Sequence, residues 1–545
     1  MSYPIGDVTR LPDLLHSRSH TGPVRERRPV YVDLLPPCNA GCPAGENIQA
    51  WLAHTKAGRH EQAWRQLVAD NPFPAIHGRV CYHPCESVCN RADLDSAVSI
   101  HSVERFLGDL ALEQGWHYDR PAVRSGSRVL VVGAGPCGLS AAYHLARLGH
   151  EVEIRDSGEQ TGGMMRYGIP AYRLPRDVLT GELDRIAAMG VRVTCSHRVE
   201  DLVAEREDGG FDAVFVAVGA HLSKRVDIPA RDAGRIVDAV SFLRSVASGE
   251  RPVIGRRVAV YGGGNTAMDA ARVARRMGAD EALIVYRRTR EQMPAHLDEA
   301  EDAEREGVRI HWLRTITAFD GPELEVELME LDESGYPQPT GRFETLAADT
   351  VILALGQESD TAFLRRVPGV EIARDGTVQV STSLETGSPG LFAGGDMVPS
   401  DQTVTVGVGH GKKAARHIDA WLRNAAAASA PKHELASFDE LHLWYFGDNP
   451  RRQQPELPVE ERVTDFAEVV GGLSAEEAVY EASRCLSCGN CFECDGCLGA
   501  CPEDAVIKLG KGHRYRFDYD RCTGCGVCFE QCPVHAIEMI AEPGR

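Results

Sequence analysis

The sequence predicts an α/β protein in which one doubly wound parallel-sheet domain is inserted into another. A helical cysteine-bearing domain precedes them and a small α+β cysteine-rich domain follows. Three observations carry this expectation. An apolar strand running into a glycine-rich turn and then a helix occurs twice, at Gly133 and again at Gly262. Apolar strands ending in glycine recur at Asp212–Gly219 and Asp349–Gly356, so each turn has partners for a parallel sheet. Finally, 15 of the 17 cysteines sit in short-spaced runs at the two ends of the chain.

With 545 residues the chain has room for several cores. Its 43% apolar and 25% charged content is that of a globular protein. A net charge of −20 argues against a nucleic-acid surface. No apolar run reaches the roughly 18 residues of a membrane span, so no membrane insertion is expected. The first residues lack a secretory pattern, and cysteines at metal-ligand spacings point to a reducing compartment, so the expected location is cytoplasmic.

Residues 1–37, rich in Arg, His and Pro, read as an extended arm. Residues 38–120 read as the helical domain: Cys38 and Cys42 precede Ile48, Trp51, Leu52, Ala63, Trp64 and Leu67 at helical spacing. Cys81, Cys85 and Cys89 then lead into a second helix through Val103 and Glu104. Five cysteines paired this way read as iron–sulfur ligands rather than core.

Arg128-Val-Leu-Val-Val-Gly133-Ala-Gly135-Pro-Cys-Gly138 is a strand entering G-x-G-x-x-G, and the next strand ends in Asp156, 23 residues after Gly133. Strand, helix and terminal acid together make the dinucleotide-binding (Rossmann-like) fingerprint. Its glycines let a pyrophosphate approach the helix N-terminus, and the acid accepts from ribose hydroxyls. The second copy is Gly262-Gly-Gly264-Asn265-Thr266-Ala267, but its second strand ends in Arg287-Arg288 instead of an acid. Arginines there suit a 2′-phosphate, so NADP(H) is expected over NAD(H). The domains read as 121–228 and 347–425 for the outer fold, 229–346 for the inserted one, and 426–478 for a connector.

The tail, 479–545, reads as an α+β ferredoxin-like domain. C-x2-C-x2-C-x3-C-P occurs at Cys522, Cys525, Cys528 and Cys532, and again at Cys491, Cys494, Cys497 and Cys501. That is the two-cluster bacterial ferredoxin pattern, which needs eight thiolates. Cys485 and Cys488 are two more.

Several stretches resemble the small subunit of NADPH-dependent glutamate synthase, and also the N-terminal half of dihydropyrimidine dehydrogenase and the large subunit of NADH-dependent ferredoxin:NADP oxidoreductase. They are Gly78-Arg-Val-Cys81, Arg166-Tyr-Gly-Ile-Pro-Ala-Tyr-Arg-Leu-Pro175, Gly262–Ala267, Tyr286-Arg-Arg-Thr-Arg-Glu-Gln-Met-Pro294 and Gly394-Gly395-Asp396. The resemblance implies FAD on the first fingerprint, at Gly133, Gly135, Gly138, Asp156, Gly163, Arg166, Gly219, Gly395, Asp396 and Thr405. It implies NADP(H) at Gly262, Gly264, Asn265, Thr266, Arg287 and Arg288.

Such relatives carry two N-terminal [4Fe–4S] clusters, the first opened by a C-x2-C pair. Nothing upstream of Cys38 is cysteine. The relatives' pair lies in a segment like Glu-Ala-x-Arg-Cys-x-x-Cys-Gly, which here is Glu481-Ala-Ser-Arg-Cys485-Leu-Ser-Cys488-Gly489. The tail is therefore expected to fold back and give Cys485 and Cys488 to Cys38 and Cys89. Cys42, Cys81 and Cys85 are expected to take Glu104 as a fourth ligand, making four [4Fe–4S] clusters in all. The implied activity is electron exchange between NAD(P)(H) and a ferredoxin or partner iron–sulfur enzyme, such as a 2-oxoacid:ferredoxin oxidoreductase. The alternative is a glutamate synthase small subunit. No redox-active C-x-x-C lies in the nucleotide domains, which argues against a dithiol relay, and no catalytic residue is assigned.

Overall fold

The computed structural model describes residues 25–224, 228, 235–427 and 433–543. Residues 1–24 of the expected arm and the expected boundary at 228/229 lie in or against the undescribed segments.

Arg128–Val132, a run of apolar β-branched residues, forms the centre of a five-stranded parallel sheet. Its strand order is Leu391–Ala393, Ala213–Val216, Arg128–Val132, Glu151–Arg155, Arg192–Thr194. Burial on both faces explains why these strands are continuous apolar runs rather than alternating ones. Two helices cover one face: Pro136–Arg147, begun by a proline in its first turn, and the 19-residue Val404–Leu422.

A second parallel sheet has the order Arg309–Trp312, Glu281–Tyr286, Arg257–Tyr261, Thr350–Leu353, Arg235–Asp238. Here the structure corrects the expected boundary at 346/347. Thr350–Leu353 pairs with Arg257–Tyr261 on one side and Arg235–Asp238 on the other, so it closes the inserted domain instead of reopening the outer one. The chain crosses out at Leu222–Ser223 and back at Gln357–Glu358, which pair antiparallel side by side. An antiparallel sheet of Arg314–Asp320, Glu323–Leu331 and Pro337–Ala347 decorates the inserted domain.

In the N-terminal domain, helices Ile48–Lys56 and His60–Val68 bury Trp51, Leu52, Ala63 and Leu67 against Val103 and Leu107 of helix Ile100–Glu113. Helix Pro74–Val80 crosses Ile100–Glu113 at two glycines: a Cβ on Gly78 would collide with Arg105, and one on Gly108 with the Ala75 backbone. That crossing sets Glu104 over the end of the helix that leads into Cys81. Backbone cannot retreat from an added methyl, so Gly108→Ala should cost about 2–3 kcal/mol or more. Thermal unfolding measures this, and an unchanged Tm would mean the helices do not cross so closely.

The chain's two ends do not stay at the ends. Helix Ala475–Ser483 is assigned by sequence partly to the connector and partly to the tail, yet Leu473 and Ala482 enter the N-terminal core. The arm is extended, as expected, but Arg27–Tyr31 is also a strand paired antiparallel with Ile537–Ala541 of the tail. The tail adds its own hairpin, Val506–Lys508 with Tyr515–Phe517.

Candidate functional site

A cleft of about 1780 Å³ runs between the two nucleotide folds and under the N-terminal domain. Of the residues expected to hold FAD, Gly133, Gly135, Asp156, Gly163, Gly219, Gly395, Asp396 and Thr405 line it. All six expected for NADP(H), Gly262, Gly264, Asn265, Thr266, Arg287 and Arg288, line it as well. Gly138 and Arg166 do not. Gly138 lets the helix pack onto the Gly133 carbonyl, and Arg166 Nε donates to the Thr161 carbonyl at 2.6 Å, bracing the loop behind the cleft.

The glycine turns fit a bound dinucleotide. Gly133 takes φ +107° and Gly262 φ +150°, and a Cβ on either would strike the carbonyl of the adjoining strand, Ala217 or Ala354. Space beside Gly135 and Gly264 is open, as close approach of a pyrophosphate to the helix N-termini requires. The Asp156 carboxylate accepts from the Ala134 and Gly158 N–H groups, both at 2.6 Å, which fixes it at the strand end. Burial pushes the Asp396 carboxyl up to about 6. Arg287 and Arg288 have no carboxylate within salt-bridge range among the described residues, whereas nearby Arg290 pairs with Glu301 and Glu304. Two uncommitted guanidinium groups beside the cleft suit an added phosphate.

Pro43, Val80, Tyr82 and Pro84 of the N-terminal domain form the cleft's remaining wall. The Tyr82 ring stacks on His296 of the inserted domain, centroids 3.4 Å apart. Arg173 bridges the two nucleotide folds through Asp269, at 2.9 Å, and Glu299. Thr405 joins the cleft to the cysteines behind it: its hydroxyl donates to Cys81 Sγ at 3.1 Å.

Cys42, Cys81 and Cys85 share one buried site. Burial, then the Glu104 carboxylate, pushes the Cys81 thiol up to about 12. Sequence reasoning missed a second carboxylate here. Glu46, four residues after Cys42, is buried, and Asn71 Nδ2 lies 2.9 Å from both Glu46 Oε1 and Glu104 Oε1. His77 lies 3.8 Å from Glu104, but burial pushes it down to about 3, so it is neutral at pH 7. Burial raises Glu46 to about 7 and holds Glu104 above the usual carboxylate range. Two carboxylates buried with no charged cation in salt-bridge range, beside three thiols, suit an iron centre, whose positive charge offsets the cost of burial.

The expected fold-back is present in the geometry. Burial raises the Cys38 thiol, and the neighbouring sulfurs of Cys485, Cys89 and Cys488 raise it further. The segment is held by Arg484, whose buried guanidinium bonds Asp95 and Glu481 at 3.0 and 2.9 Å and the Ala97 and Ser96 carbonyls at 3.0 and 2.7 Å. Gln49 Nε2 donates to the Cys488 carbonyl at 3.1 Å, and Asn90 Nδ2 lies 3.6 Å from Cys488 Sγ.

In the tail, Cys497 is raised by burial and also by Cys491, Cys494 and Cys532, whereas Cys501, Cys522, Cys525 and Cys528 surround a small void. Each motif thus lends its fourth cysteine to the other set, as two-cluster ferredoxins do. Backbone N–H groups point at sulfur at Cys81 (from His83), Cys485 (Ser487), Cys501 (Ala505), Cys522 (Gly524) and Cys532 (Ala536), at 3.2 to 3.5 Å. Such donors suit thiolates. All 17 cysteines are free. Cys137, packed beside Gly394 and Gly395, is a small filler.

Comparison with known proteins agrees with this layout. The family described as pyridine nucleotide-disulphide oxidoreductase matches residues 127–416. The dihydropyrimidine dehydrogenase domain II, 4Fe-4S cluster family matches 33–116, and the 4Fe-4S binding domain matches 515–538. The NADP(+)-dependent formate dehydrogenase subunit beta of Moorella thermoacetica is 37% identical, over 83% of this chain and 70% of that one. The NADPH-Fe(3+) oxidoreductase subunit beta of Geobacter sulfurreducens is 34% identical, over 83% and 75%. The glutamate synthase [NADPH] small chain of Azospirillum brasilense is 34% identical, over 73% and 88%.

Proposed function

Because this chain belongs to the glutamate synthase small-subunit-like family of flavin and iron–sulfur oxidoreductases, we propose that it works as the nucleotide-handling subunit of a larger assembly, passing electrons between NADP(H) and a partner's iron–sulfur chain. Its fuller coverage by two relatives named as beta subunits favours this over a glutamate synthase role. FAD, when bound, supplies the conversion between paired and single electrons.

The rest is the work of this chain's residues. Arg287 and Arg288 hold the 2′-phosphate and the Gly262 turn the pyrophosphate, so the nicotinamide enters the cleft facing the flavin site. Cys42, Cys81, Cys85 and Glu104 hold the nearest cluster. Cys38, Cys89, Cys485 and Cys488 hold the second. The third is held by Cys491, Cys494, Cys497 and Cys532, and the fourth by Cys501, Cys522, Cys525 and Cys528. Fifteen cysteines and Glu104 supply sixteen ligands, enough for four [4Fe–4S] clusters. Cys525, exposed at the far end, marks the exit toward the partner. Carboxylate ligation makes the first cluster's potential unlike the others, since ligand identity sets it.

The observation that carries the reading is the Thr405–Cys81 contact, which joins the flavin cleft to the first ligand set in one hydrogen bond. Glu104→Ala should keep its flavin and lose about four irons per chain. Full iron in that variant, with loss in Glu46→Ala instead, would move the fourth ligand to Glu46.

A further inference from the structure

Arg27–Tyr31 belongs to the tail's fold although it lies some 500 residues away in sequence. Its register with Ile537–Ala541 puts Tyr31 opposite Ile537, and Val32 N–H donates to the Ala536 carbonyl at 3.1 Å. Arg25 extends the seam through Glu542 and the Cys522 carbonyl, at 2.6 and 3.1 Å. Pro29 walls the void among Cys501, Cys522, Cys525 and Cys528. The arm therefore touches both cysteine sets of the tail.

Tyr31 ends the strand. Its ring stacks on Phe517, centroids 4.9 Å apart and planes 22° apart, and its hydroxyl lies 3.5 Å from Cys497 Sγ. That sulfur is the only hydrogen-bond partner of the hydroxyl among the described residues. As a cluster ligand, Cys497 is a thiolate without a proton, so the hydroxyl must donate. A donor on a ligand sulfur stabilises the reduced, more negative cluster over the oxidised one and raises its potential.

We propose that Tyr31 is a positioning residue that donates a hydrogen bond to the Cys497 thiolate and raises the potential of the cluster held by Cys491, Cys494, Cys497 and Cys532. The chain's N-terminal arm thereby sets the energy of the first electron step within the tail. This rests on reading those four cysteines as one ligand set.

The test is a potentiometric titration of full-length, cluster-loaded protein followed by electron paramagnetic resonance. Tyr31→Phe keeps the ring on Phe517 and the strand in register. It should retain its iron, and one cluster signal should move to lower potential. The expected drop is about fivefold in the reduced-to-oxidised ratio at the wild-type midpoint, or about 40 mV for one electron. Tyr519→Phe is the control, because the Tyr519 hydroxyl holds the same strand through the Pro29 carbonyl, at 2.9 Å, without touching sulfur. It should move no signal. An unmoved signal in Tyr31→Phe, an equal shift in Tyr519→Phe, or loss of iron in Tyr31→Phe would each overturn the tuning role. A wild-type chain with no tail clusters would overturn the ligand reading instead.

Discussion

Replacing Cys485 and Cys488 together with serine should remove about four irons per chain and leave flavin content unchanged. The tail should nevertheless stay docked. Arg484 remains buried on Asp95, Glu481 and three backbone carbonyls, counting Asn449 at 3.0 Å, and Leu473 and Ala482 remain in the N-terminal core. Serine keeps the size of cysteine and loses only the soft thiolate that iron requires. The two ferredoxin sets should keep their iron, since none of their ligands is touched. Iron and flavin analysis of the purified variant measures this. Loss of the tail's iron with survival of the N-terminal iron would mean that Cys485 and Cys488 serve the tail.

The second large effect is on cofactor choice. Replacing Arg287 and Arg288 with alanine should lower kcat/KM for NADPH by about 10- to 100-fold, because charge-assisted hydrogen bonds to a phosphate contribute about 1.5–3 kcal/mol. NADH, which lacks the 2′-phosphate, should be used almost as before. Neither arginine has a carboxylate partner among the described residues, so their removal strands no buried charge, and the loss should fall on binding rather than on folding. An equal loss with both nucleotides would place the arginines outside the 2′-phosphate site. Steady-state rates with each nucleotide decide it.

Much of this architecture was legible because its signals are local. The turns at Gly133 and Gly262 each bring strand, glycines and helix within about 20 residues, and both line the cleft. The Cys485–Cys488 joint was legible for another reason: Glu481-Ala-Ser-Arg484 is a packing motif as well as a ligand motif. Glu481 is fully buried and accepts from the Ser99 and Arg452 N–H groups at 2.9 and 2.6 Å.

What stayed hidden depends on pairing across distance. Thr350–Leu353 looks the same as Ala213–Val216, an apolar strand running to a glycine, and only the sheet it joins tells them apart. Arg27–Tyr31 contains a proline and two arginines and reads as coil, and its partner strand lies at the opposite end of the chain. Glu46 reads as a surface acid in Cys42-Pro-Ala-Gly-Glu46. Its role emerges only when Asn71 brings it beside Glu104. Its spacing of four from a ligand cysteine was the one signal available.

The central claim is that electrons reach the tail from the cleft through the joint made by Cys485 and Cys488. The most direct test mixes NADPH anaerobically with the wild-type chain and with the Cys485→Ser, Cys488→Ser variant, and follows flavin absorbance and freeze-quenched cluster signals. The account predicts that both proteins bleach their flavin at the same rate, and that the two ferredoxin clusters become reduced only in the wild type. Reduction of the tail's clusters in the variant at the wild-type rate would contradict it.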